Sequence, residues 1–148
     1  MPAEEARAIT RRHIEKVINE GNIAAIDELF ATTVAFHDPA APGGDIRGTS
    51  NLKQFFTDLH AAFDMHFTVE DMFAEEDRVS CRWTGHFIHR GEFAGIPPTG
   101  KQAIVSGMGI FKIAGGKIAE VWVNSDTLGL IQQLGGNLSI DEEKGASR

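Results

Sequence analysis

Beyond Met65 the apolar residues of this chain stop recurring every three to four positions and begin to alternate. One part must therefore coil into helices and the other extend into a sheet. In the first part Ala6, Ile9, Ile14, Val17 and Ile18 form a helical stripe across residues 3–20. Gly21 supplies a stop, and Asn22 can cap a second, shorter helix through Ile26, Leu29 and Phe30. A strand over 34–37 ends at Asp38-Pro39 and a Pro/Gly-rich loop that reaches Gly48. A third helix, capped by Thr49 or Ser50, carries Leu52, Phe55, Phe56, Leu59 and Phe63 on one face. The second part reads as strands over 66–74, 78–89, 101–113 and 117–124, the last two joined by a tight hairpin at Gly115-Gly116. A short helix over 127–134 ends at Gly135-Gly136, and the polar residues 137–148 are expected to form a flexible tail behind a domain spanning 1–136.

This order predicts an α+β fold in which three helices cover one face of a mostly antiparallel sheet. The other face is unusual. Along 103–113, Ile104, Met108 and Ile110 lie on one side and Val105, Phe111 and Ile113 on the other. An antiparallel sheet facing water alternates apolar with polar, so a strand apolar on both sides needs a second cover. A twofold-related copy supplies it, and a homodimer joined through the outer sheet face is expected.

Composition excludes several roles. The chain has 148 residues, of which 42% are apolar and 24% charged, enough for one core without a disulfide or metal staple. Its formal charge of −7, with no basic run, repels nucleic acid and anionic membranes. The one cysteine, Cys81, cannot form an intrachain disulfide, and the acidic N-terminus does not resemble a signal peptide. A cytoplasmic protein is expected.

Strand parity sorts the candidate residues. On 78–89 the inward set is Val79, Cys81, Trp83, Gly85, Phe87 and His89. His86 points the other way, so the two histidines diverge and no metal site is expected. On the last strand Ile118, Glu120, Trp122 and Asn124 share a parity, with Asp126 beyond them. An aromatic wall with a few polar groups suits a pocket for a small hydrophobic or aromatic molecule. A carboxylate in apolar surroundings loses hydration and becomes a better base near neutral pH. Asp126 also precedes a helix, where it is a natural N-cap, and both readings stand at this point. Trp83, Phe87, Phe93, Met108 and His37 are the further expected substrate contacts. No phosphate loop or nucleophile elbow is present.

Several of these segments together resemble the SnoaL-like polyketide cyclases (ester cyclases) of the NTF2-like superfamily. They are Arg82-Trp83-Thr84-Gly85, His89-Arg90-Gly91-Glu92-Phe93, Gly95-Ile96-Pro97-Pro98-Thr99-Gly100, Ile110-Phe111-Lys112, Gly116-Lys117-Ile118 and Trp122-x-x-x-Asp126. Asn19-Glu20-Gly21-Asn22 and His37-Asp38-Pro39 also fit. The resemblance implies a cone of helices on a strongly curved sheet, usually dimeric. It also implies a cofactor-free intramolecular aldol condensation on a polyketide ester. It assigns the base to Asp126, an assisting role to His89, and substrate positioning to Trp122 and Asn124. Two alternatives share the fold: a small-molecule-binding protein without catalysis, and an isomerase or epoxide-hydrolase-type enzyme.

Overall fold

A computed structural model of the chain describes residues 2–136; the tail expected over 137–148 lies outside them. Helix α1 (Pro2–Arg12) continues as a wider π-helical segment, His13–Asn19, in which the Glu20 N–H donates to the Glu15 carbonyl at 3.0 Å. Helix α2 (Ala25–Leu29) leads directly into strand β1 (Phe30–His37), and a short strand β2 (Asp45–Arg47) precedes helix α3 (Thr49–Ala62). Strands β3 (Phe63–Glu75), β4 (Arg78–His89), β5 (Gln102–Ala114) and β6 (Lys117–Ser125) follow, then helix α4 (Thr127–Gln133).

The six strands form one sheet in the order β2-β1-β6-β5-β4-β3. All neighbours are antiparallel except β1 and β6, which run parallel with His37 opposite Trp122. Besides β2, which the sequence reading leaves in a loop, two helix ends differ from that reading. Phe30 and Phe63 begin strands rather than ending helices, because α2 and α3 each pass into extended backbone at those residues. The β5–β6 turn forms as expected: Gly115 and Gly116 take φ of 59° and 77°, the pair of left-handed conformations a two-residue hairpin demands.

The sheet's inner face and the helices close on one core. Phe30, Phe63, Ile26, Leu52, Ile118 and Leu134 are its largest fully buried apolar side chains. Gly107 lets Trp83 lie flat across β5, since a Cβ there would come within 2.5 Å of the indole Nε1. At the edge of the sheet the Asn19 side chain completes β3: its Nδ2–H donates to the Phe67 carbonyl at 3.1 Å and its Oδ1 accepts from the Phe67 N–H at 2.7 Å. Two otherwise orphaned backbone groups are satisfied by the end of the first helix.

Candidate functional site

The helices and the inner sheet face enclose a cavity of about 130 Å³. Trp83 and Phe87 from β4, Val105 and Phe111 from β5, Phe55 and Phe56 from α3, and Phe93 from the β4–β5 connection wall it with carbon. The polar contributions are few: His13, Asp38, Ser125 and Thr127. A cavity near 150 Å³ holds a benzene ring, so this one is about ring-sized.

Asp38 reaches the cavity through strand parity. Successive residues point to opposite faces, and where His37 ends β1 facing outward, Asp38 turns inward. Its Oδ1 accepts the Ala40 N–H at 2.9 Å, which holds the carboxylate in an Asx turn. Burial raises its pKa above the ordinary aspartate value, and the Ala40 bond offsets part of that rise. The parallel pairing of β1 with β6 brings Asp38 beside the strand end that carries Ser125. His13 comes from the first helix, two per cent exposed, with Phe30, Phe56 and Phe111 around its ring. Burial alone lowers its pKa to about 3, so the imidazole is neutral.

Trp83, Phe87 and Phe93 line the cavity as expected. Met108 on β5 and His37 at the end of β1 face outward, and Trp122 and Asn124 do so because of a bulge in β6. β5 pairs Lys112 with Glu120 but Ile113 with Ile118, so Ala119 is an extra residue and parity reverses beyond it. Val121, Val123 and Ser125 therefore face inward, whereas Trp122 and Asn124 face outward, opposite Ile110 and Met108. Met108 is 57% exposed on that outer face. Trp122 stacks on His37 at 5.6 Å between ring centroids, and the Arg78 guanidinium covers it. His37 bridges Asp45 and Glu120, each at 2.7 Å, and these hydrogen bonds, Asp45's first, raise its pKa.

Asp126, the anticipated base, is the N-cap of α4, its Oδ1 accepting the Gly129 N–H at 2.9 Å, and its side chain is not among those lining the cavity. The flanking Ser125 and Thr127 are. His89 is fully buried but does not line the cavity either; its Nδ1 lies 3.0 Å from the Thr99 hydroxyl and tethers the β4–β5 connection to the strand end. Parity read its inward direction correctly, but the Phe63 and Phe93 rings stand around that end of the strand. Cys81 is a buried thiol whose pKa burial pushes up to about 11, which leaves it protonated and unreactive. Among the described residues, no group of three or more His, Cys, Asp or Glu side chains is placed to hold a metal ion.

Sequence reasoning passed over His13, and for Asp38 it leaves a substrate-orienting role and a turn side by side. A signal for His13 existed: it falls on the apolar stripe between Ile9 and Val17, where a polar side chain must be buried.

An α+β cone whose curved sheet and helices enclose a small apolar cavity defines the NTF2-like class of folds. The family model for SnoaL-like polyketide cyclases matches residues 8–134. The chain belongs to that family. Among solved structures, TsrD from Streptomyces laurentii is 25% identical with a TM-score of 0.81, the alignment covering 93% of this chain and 99% of that one. A candidate polyketide cyclase from Acidithiobacillus ferrooxidans is 32% identical with a TM-score of 0.80, covering 88% and 94%. IdmH from Streptomyces antibioticus, also described as a candidate polyketide cyclase, is 28% identical with a TM-score of 0.77, covering 88% and 98%. No curated protein matches the sequence significantly.

Proposed function

We propose that this protein is a cyclase-type enzyme working without a cofactor on an apolar, polyketide-like keto-ester, and that Asp38 is its base. One observation carries the assignment: among the described residues that line the cavity, Asp38 alone bears a carboxyl group. Its partial burial removes hydration from the charged form and makes it a stronger base than an exposed aspartate. The Asp38 carboxylate takes a proton from the carbon beside a carbonyl, and the C–H electron pair becomes an enolate. The enolate carbon attacks a second carbonyl of the same molecule, forming the new C–C bond. The resulting alkoxide recovers the proton from Asp38, so base and substrate atoms balance without a redox partner. The carbon walls exclude water and hold the chain folded, which supplies the proximity this reaction needs. The cavity takes about one ring, so the reacting end of a longer substrate would enter it.

The test is deuterium uptake at the α-carbon and ring closure in a panel of aromatic keto-esters, followed by ¹H NMR in D₂O. The wild type should catalyse exchange, Asp38→Asn should slow it at least about a hundredfold, and Asp126→Asn should stay within a few-fold. Loss in Asp126→Asn with retention in Asp38→Asn would return the base role to Asp126, acting after release of its cap. Tight binding of the panel without exchange would make the protein a small-molecule binder.

A further inference from the structure

Two buried side-chain nitrogens among the described residues have no hydrogen-bond partner, His13 Nδ1 and His89 Nε2. Their side chains differ in surroundings. His89 does not line the cavity, and its other nitrogen is engaged by Thr99; His13 lines the cavity directly. Around the His13 ring stand Phe30 and Phe56 edge-on, at 5.0 and 5.6 Å between centroids, and Phe111 tilted at 5.9 Å. These rings offer no lone pair and no strong donor. The other buried polar side chain of this helix, Thr10, is satisfied within it by the Ala6 carbonyl at 2.9 Å.

A buried polar atom left unpaired costs free energy, and folds retain few of them without a reason. His13 is also the residue at which α1 gives way to the π-helical segment, a distortion that recurs at functional sites. A leucine or phenylalanine would fill the same space with no unpaired atom.

We infer that His13 is a recognition residue, whose imidazole hydrogen-bonds an oxygen carried by the ring that enters the cavity. The ligand class is a compact aromatic ring bearing a hydroxyl or carbonyl oxygen, a phenol or aryl ketone. A neutral imidazole presents one N–H and one lone pair, so it can serve either oxygen by choice of tautomer. The aromatic walls take the ring, and His13 fixes its orientation. This inference rests on the cavity being the substrate site, but it does not require Asp38 to be a base.

The experiment compares phenol with toluene, two rings of the same size in which a hydroxyl replaces a methyl. Dissociation constants come from NMR titration, and long-range ¹H–¹⁵N spectra follow the His13 ring nitrogens. Phenol should bind the wild type about tenfold more tightly than toluene, with a clear shift of the His13 nitrogens. In His13→Phe the preference should vanish, and in His13→Gln, which keeps a donor and an acceptor, part of it should remain. Equal affinity for the two ligands, an unchanged preference in His13→Phe, or unmoved His13 nitrogens on phenol binding would each overturn the inference. Failure of both ligands to bind would overturn it as well. The wild-type spectra decide the matter even if a variant fails to fold. Loss of exchange in the keto-ester assay with the phenol preference intact would sink the enzymatic reading alone.

Discussion

His13 and Asp38 share a cavity, yet burial moves their proton affinities in opposite directions, because it always opposes the charged form. For His13 this has a consequence for stability. The folded chain binds its proton only near pH 3, whereas the unfolded chain binds it near 6.5. Between those values the unfolded state holds more protons, so stability falls as pH drops below 6.5 and the loss ends near pH 3. At pH 5.5 this group alone should cost about 1 kcal/mol relative to neutrality. Urea unfolding at pH 7.5 and 5.5 measures it: the decrease should be smaller by about that amount in His13→Phe, with all other groups common to both chains. Equal decreases in the two proteins would mean that the fold does not lower the His13 pKa.

At the scale of elements, β4 was readable almost entirely from its sequence. Its bounds, its inward set from Val79 to His89 and the cavity position of Trp83 and Phe87 all follow from strict alternation. The β6 reading failed at a single residue. Nothing in Ile118-Ala119-Glu120 marks a bulge locally, since the extra residue is fixed by how β6 registers on β5. The parallel pairing of β1 with β6 is likewise a non-local fact, and it is what sets Asp38 beside the end of the last strand. The short β2 was missed because three residues, Asp-Ile-Arg, are too few to show a period. The bulge makes a sharp prediction, because the chain has only two tryptophans and places them on opposite faces. Acetophenone in the cavity should quench Trp83 far more than Trp122. The Trp122→Phe protein should therefore keep most of the ligand-dependent quenching, and Trp83→Phe should lose it. The reverse pattern would mean that β6 is in the alternating register after all.

At the scale of the whole molecule, the outer face of the sheet carries an apolar row that none of the described residues covers. Ile104, Met108 and Ile110 on β5 are 58%, 57% and 43% exposed, and Trp122 on β6 extends the row from Ile110. Charged pairs flank it, Arg82 with Asp71 on one side and His37 with Glu120 on the other. An apolar centre with a polar rim is the anatomy of a protein–protein interface, and a row on a sheet's two-sided apolar strand suits an identical copy turned about a twofold axis. Light scattering at micromolar concentration should therefore give twice the chain mass. Met108→Lys combined with Ile110→Glu should shift it to the monomer, because each dimer would then bury four charges in that centre. The cavity opens from the opposite face of the sheet, so the separated chains should bind phenol with unchanged affinity. A monomeric wild type would leave the outer row without a partner of its own kind. A ligand affinity that collapses with the dimer would mean that pairing also holds the sheet in the curvature that shapes the cavity.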